Sequence, residues 1–214
     1  MVNVSARLFW YSFCCSAVRS AVLTILAPRF YGREITPPDG PLLLAANHQS
    51  FLDPLLIGAS VSRPLNFMAR ENLFDIPLFG RLIRTLNVHP VKRGAVDPEA
   101  LRTMLKLLRS GEALVVFPEG TRTKDGRIGG LKHGVASVAA RTNARILPVC
   151  IEGAFESWPR HRRLPVVADI RVKYGNLIRA TRSDNGRSAT VEIERQLRSM
   201  LDGLKRLRLR KYAK

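Results

Sequence analysis

From Pro41 onward, short apolar runs alternate with segments whose apolar residues recur every three or four positions. No other property of the sequence constrains the fold as much. The runs PLLLAAN, LNFMAR, NVHPV, ALVVFPE, ARILPVCIEG and the longer VVADIRVKYGNLI are bounded by turn residues and read as strands. LFGRLIRTL, DPEALRTMLKLLRSG and HGVASVAARTN read as helices, the second opened by Asp97-Pro98 and closed at Gly111. Strands and helices in succession require a mixed, largely buried sheet flanked by helices, so the expected fold class is α/β. With 214 residues, 46% of them hydrophobic, and no internal repeat, the chain has enough material for one well-buried core.

Both ends depart from this pattern. Residues 1–35 read as a membrane-associating segment ahead of a domain over 36–214. Leu8 to Ala27 has about the ~20 residues of a spanning helix but is interrupted by Arg19, with Phe9, Trp10, Tyr11 and Phe13 gathered near one end. That composition suits a helix at the headgroup boundary or dipping into one leaflet. LAPRF is a poor cleavage site, so the segment is expected to be retained. At the other end, LKRLRLRKYAK interleaves Leu201, Leu204, Leu207 and Leu209 with basic residues. Such a helix can lie on anionic lipid, each cation being worth about 1 kcal/mol there; the same pattern also fits a solvated helix end.

The net charge of +18 favours nucleic acid, anionic lipid or an acidic partner. Single-strand binders interleave basic residues with exposed aromatics, whereas here the aromatics collect at the amino terminus, which disfavours a nucleic-acid-binding module. Cys14, Cys15 and Cys150 have no metal-ligand or redox spacing and read as reduced thiols in a cytosol-facing protein.

Two short stretches carry chemistry. In NHQSFLD, Asn47 to Asp53, a histidine and an aspartate five residues apart could not meet within one helix, so a turn is needed between them. Either Ser50 caps the next helix with Asp53 in its first turn, or Asp53 caps a helix beginning at Pro54. Both readings put His48 in the loop after strand PLLLAA, at the sheet's carboxyl edge, where open α/β folds place ligands. Imidazole and carboxylate then form a general base. In FPEGTRT, Glu119 and Arg122 sit on a turn at a strand end, with Gly120 permitting close approach and Thr121 and Thr123 supplying hydroxyls, as an anion site requires. Between them, in HPVKRG, Lys92 and Arg93 are candidates to grip a phosphate.

Taken in order, NHQSFLD, VHPVKRG, FPEGTRT and LPVCIEG resemble the four sequence blocks of the glycerolipid acyltransferases, over roughly residues 40–155. The resemblance implies that family's fold and transfer of a fatty acyl group from a thioester, acyl-coenzyme A or acyl carrier protein, to the hydroxyl of a lysophospholipid. The expected acceptor is 1-acyl-glycerol-3-phosphate, with a lyso-aminolipid as the alternative. It implies His48 as general base, Asp53 as its orienting partner, and Glu119, Gly120, Thr121 and Arg122 as acceptor-site residues. Arg93, with Lys92, would meet the acceptor phosphate, although VHPVK departs from the family's usual second block. Pro148 matches the fourth-block proline, and Lys132 falls near the site. No metal, no cofactor and no nucleic acid is implied. The expected location is the cytoplasmic face of the inner membrane, against its anionic surface.

Overall fold

A computed structural model describes residues 4–92 and 97–212. In chain order the elements are α1 (Val4–Ala21), β1 (Arg29–Tyr31), β2 (Leu42–Ala46), α2 (Asp53–Ser60), β3 (Leu65–Arg70), α3 (Phe79–Thr85), β4 (Val88–Val91) and α4 (Pro98–Arg109). There follow β5 (Ala113–Val116), α5 (Gly134–Thr142), β6 (Arg145–Glu152), α6 (Ala154–Ser157), β7 (Arg171–Tyr174), β8 (Ile178–Arg179) and α7 (Arg187–Tyr212). The strands form one sheet in the order β1-β7-β6-β2-β5-β3-β4, with β8 also pairing β6. From β6 to β4 the strands are parallel, while β7 and β8 run antiparallel to β6.

The central strands are the runs without polar alternation. Every residue of β2 and β5 is buried, as expected of strands covered on both faces. Alternate side chains of β2 face opposite layers. Leu43 and Ala45 pack with Leu108 of α4, Ala139 of α5 and Leu197 of α7. Leu42, Leu44 and Ala46 pack with Leu56 and Ile57 of α2 and with Val22 and Leu26, which follow α1. Asp97 caps α4 through the Glu99 and Ala100 amides, as its sequence indicates.

The expected mixed sheet flanked by helices is what the chain forms, with local differences. VVADIRVKYGNLI yields only β7 and β8. It is interrupted where the Asn176 amide donates to Gln196 of α7, not to a neighbouring strand. ALVVFPE stops being a strand at Val116. Arg29–Tyr31, within the stretch set apart as the amino-terminal segment, pairs with β7 and extends the sheet. Its three residues are too few to show a period.

The carboxyl-terminal helix is tied down along much of its length. Leu201 and Leu204 are core residues, whereas Leu207 and Leu209 are exposed, so only part of the leucine series is open to a surface. Arg171, 1% exposed, donates to the Leu204 carbonyl and to Asp169 at 2.6 Å. Arg208 lies 2.9 Å from Glu152 and 2.8 Å from Glu156. At the other end, Trp10 Nε1 donates to Thr85 Oγ1 at 3.0 Å, and the Tyr11 hydroxyl accepts from the Leu65 amide. Phe9–Leu26 is long and apolar enough to cross a bilayer by length and composition, and most of it is exposed, Phe9 by 74%.

Gly153 joins β6 to α6 at φ +88°, and a Cβ there would collide with the Asp169 carbonyl. Gly153→Ala is expected to cost about 2–4 kcal/mol, from left-handed strain and the clash together. Urea denaturation checks this; a loss below about 1 kcal/mol would mean the turn relaxes easily.

Candidate active site

The site begins where β2 ends. Asn47 continues the pairing with β6 through its side chain: Nδ2 donates to the Ile151 carbonyl at 2.9 Å, and Oδ1 accepts from the Ile151 amide at 2.7 Å. With the amide group doing the work of another strand residue, the backbone is released to turn. His48 is the next residue, delivered to the carboxyl edge as its position after the strand requires.

Asp53 closes the turn. Its Oδ2 accepts from His48 Nδ1 at 2.7 Å, from the Gln49 amide at 2.6 Å and from the Ser50 amide at 2.8 Å. Of the two expected caps the Ser50 one is formed: its hydroxyl takes the Leu52 amide, and Asp53, three residues on, reaches back to its amide. Asp53 is itself the first residue of α2 and reaches backward around the turn, and the residue preceding the helix, Leu52, makes no side-chain cap. The Ser50 hydroxyl accepts from the Leu52 amide and donates to the Trp158 carbonyl at 2.9 Å. One carboxylate oxygen thus serves the cap and the imidazole together. The carboxylate is fully buried, which pushes its pKa up, and the bonds from His48, Ser50 and Gln49 pull against that shift.

The imidazole is held on every side but one. Its ring stacks on Phe117, centroids 4.0 Å apart and planes 18° from parallel. Its backbone amide donates to Glu119 Oε1 at 2.8 Å, and its carbonyl accepts from the Thr123 amide at 2.8 Å. Glu119 Oε2 takes the Gly129 amide at 2.8 Å, so both oxygens of this buried carboxylate are engaged by backbone, while burial pushes its pKa up. With Asp53 ionised, Nδ1 carries the proton. Nε2 makes no hydrogen bond among the described residues, and the side chain is 20% exposed. A proton acceptor therefore stands at the surface of an otherwise rigid unit.

Around it lies a cationic and aromatic rim. Gly120 adopts φ +68°, and a Cβ there would meet the Lys132 ammonium at 2.9 Å, so glycine is what admits Lys132 to this turn. Thr121 is exposed. The Arg122 guanidinium sits 3.4 Å above the Phe51 ring centre, and Phe51 tilts against Trp158 at 5.4 Å. Arg160 reaches the Arg122 carbonyl. Thus His48, Asp53, Glu119, Gly120, Thr121 and Arg122 are brought together, with Glu119 beneath the base as its brace.

Lys92 is placed differently. It follows β4, three strands from β2 on the same carboxyl edge, or about 14 Å at ordinary strand spacing. Its amide donates to Asp97 and its side chain is exposed. Arg93 lies outside the described residues. Pro148 is inside the sheet, opposite Ala45. Asn47, Phe51, Phe117 and Trp158 were not singled out from sequence. Trp158 meets Ser50 across 108 residues, and no spacing rule signals such a contact.

The arrangement can take a proton from a hydroxyl presented to Nε2 and can hold an anion near Arg122 and Lys132. Among the described residues, no group of three or more His, Cys, Asp or Glu stands together as a metal site would require. Neither candidate nucleophile considered from sequence is poised for attack: the Ser50 hydroxyl is engaged, and Cys150 is buried within β6.

Comparison with known proteins places this geometry. Residues 27–152, more than half of the chain, match the acyltransferase family model. A chloroplastic 1-acyl-sn-glycerol-3-phosphate acyltransferase from Arabidopsis thaliana is 36% identical over 125 residues, covering 56% of this chain and 34% of that one. The corresponding enzyme of Bacillus subtilis is 28% identical over 144 residues, covering 67% and 71%. The match thus spans only about a third of the plant protein. The crystal structure of the 1-acyl-sn-glycerophosphate (LPA) acyltransferase PlsC from Thermotoga maritima superposes with a TM-score of 0.80 at 28% identity, covering 96% of this chain and 84% of that one. Both motifs that build the His48 unit fall inside the matched residues, and the chain belongs to the acyltransferase family.

Proposed function

We propose that the chain transfers a fatty acyl group from a thioester, acyl-coenzyme A or acyl carrier protein, to the free hydroxyl of 1-acyl-glycerol-3-phosphate, giving phosphatidic acid. The observation that carries this reading is the His48–Asp53 pair with Nε2 left open at the sheet edge. The names of the relatives support the acceptor, since each is described as acting on that lipid.

In this reading the acceptor hydroxyl approaches Nε2, which takes its proton as the oxygen attacks the thioester carbonyl. Asp53 stabilises the imidazolium that results, as a buried carboxylate on Nδ1 does in hydrolytic triads. When the tetrahedral intermediate collapses, the carbon–sulfur bond breaks and the imidazolium returns its proton to the departing thiolate. Acyl transfer is direct, with no acyl-enzyme. The acceptor phosphate lies along the edge beside Arg122, with Lys92 approaching from the β4 side; Thr121 and Gly120 border it, and Arg93 is assigned to the same phosphate on sequence alone. The Arg122 guanidinium, already stacked on Phe51, presents its fork with little further ordering.

The enzyme works from the cytoplasmic face of the membrane in this account. Exposed Phe9, Phe13 and Ile25 reach into the bilayer, and the excess of 35 basic over 17 acidic residues draws the chain to anionic lipid and to phosphorylated donors.

Membranes containing the protein are expected to form phosphatidic acid from labelled acyl donor and lysophosphatidic acid, and His48→Ala to lower turnover at least about 10³-fold. Unchanged turnover in that variant would sink the general-base role, whereas acylation of a lyso-aminolipid alone would sink the acceptor assignment. Asp53→Asn is expected to lower kcat about 10²–10⁴-fold, because the amide oxygen keeps the place that the Gln49 and Ser50 amides require while the charge that stabilises the imidazolium is lost; circular dichroism confirms that folding is kept. Glu119→Gln retains one acceptor where two are required. It should cost about 1–3 kcal/mol of stability and lower kcat with little change in KM, read by denaturation and steady-state kinetics.

A further inference from the structure

Arg19 is the one charged residue in Phe9–Leu26, and its surroundings are not those of a helix that only meets lipid. It lines a cavity of about 350 Å³ with Arg33, Arg63, Thr36, Ser62 and Glu34. The cavity lies at the amino edge of the sheet, the end opposite His48. This follows from Arg63, whose Nη2 donates to the carbonyls of Gly40 and Gly111, just ahead of β2 and β5, and whose Nη1 donates to Pro37. Three guanidiniums against one carboxylate leave the walls positive. Arg63 is fixed by those three carbonyls, and burial lowers its pKa, so it is a stationary charge in the wall. Arg19 and Arg33 form no ion pair among the described residues. Arg33 instead rests 5.9 Å over the Phe30 ring.

The Thr36 hydroxyl is sealed from this cavity, so its charged lining alone would meet a ligand. The guanidinium forks of Arg19 and Arg33 around a space of this size, with the fixed charge of Arg63 behind them, match a phosphate group, whose oxygens take paired N–H donors. Arg19 belongs to the helix that bears exposed Phe9, Phe13 and Ile25, so an anion held by it lies beside the bilayer.

We propose that this cavity binds the phosphate of an anionic lipid headgroup, as a second anion site at the far end of the sheet from the acyl-transfer centre. The site clamps α1 and the β1 turn to one lipid molecule and so holds the domain at a set height on the membrane. The proposal rests on the membrane reading of α1 and is independent of which hydroxyl is acylated.

The test uses the full chain, purified in neutral detergent, and co-sedimentation with phosphatidylcholine vesicles with and without phosphatidylglycerol. Diffuse surface charge is worth about fivefold in binding per arginine. Arg19→Gln and Arg33→Gln are each expected to lose more than about tenfold of the phosphatidylglycerol-dependent binding, against about fivefold or less for Arg81→Gln on the exposed face of α3. Arg19→Lys, which keeps the charge but loses the fork, should lose about fivefold. Equal losses for Arg19→Gln and Arg81→Gln, or full binding by Arg19→Lys, would overturn the site. Inorganic phosphate that raises Tm in wild type while vesicles show no preference for phosphatidylglycerol would overturn the lipid in favour of the free ion. Turnover of Arg19→Gln on detergent-dispersed substrate should stay within about twofold of wild type, since Arg19 lies outside the His48 site.

Discussion

One carboxylate oxygen organises this protein. Asp53 Oδ2 collects the His48 ring and the amides of Gln49 and Ser50, and because the residue has no access to water, those donors are what make its charge tolerable. The bend between β2 and α2 is therefore the shape in which three donors reach one oxygen. The five-residue separation of histidine and aspartate is the length of that bend. A sixth residue would carry an amide out of range, and a fourth would return both side chains to one helical surface without the turn between them.

The base and its brace come from different parts of the chain but form one unit. Glu119 and Thr123 hold the backbone of His48 at its amide and its carbonyl, Phe117 holds the ring, and Asn47 fastens the start of the loop to Ile151. Strands β2, β5 and β6 are neighbours, so each of these partners needs only to step off the end of its own strand. Rigidity here has a chemical purpose, since a proton acceptor that need not be ordered during reaction contributes more fully to the rate.

How much of this was legible beforehand follows from range. Alternation of apolar runs sufficed for the sheet and its covering helices, because strands buried on both faces advertise themselves by composition. His48 and Asp53 were legible because the contact is local and the chemistry of the pair is specific. The Ser50 cap was legible for the same reason, since its hydroxyl and the carboxylate three residues on need only the amides of one short turn. The engagement of Glu119 by backbone, the Arg122–Phe51 stack and the reach of Ser50 to Trp158 depend on which strand ends become neighbours, and no single stretch records that. Arg29–Tyr31 was missed because a three-residue edge strand is too short for any period. Half of the carboxyl-terminal leucines turned inward for a related reason: their spacing shows a helical face without naming what covers it.

The hydrogen bonds that fix His48 share a further property. None of those described comes from residues 61–112, the stretch holding β3, α3, β4 and α4. That stretch includes the exposed apolar side chains of Ile76, Leu78, Phe79 and Leu82 and the approach on which Lys92 stands. Chemistry and surroundings are thus written in separate lengths of chain. A lineage can remodel what borders the site, lengthening a helix or exchanging an apolar wall, while the base keeps its position, and selectivity can drift without the reaction being put at risk.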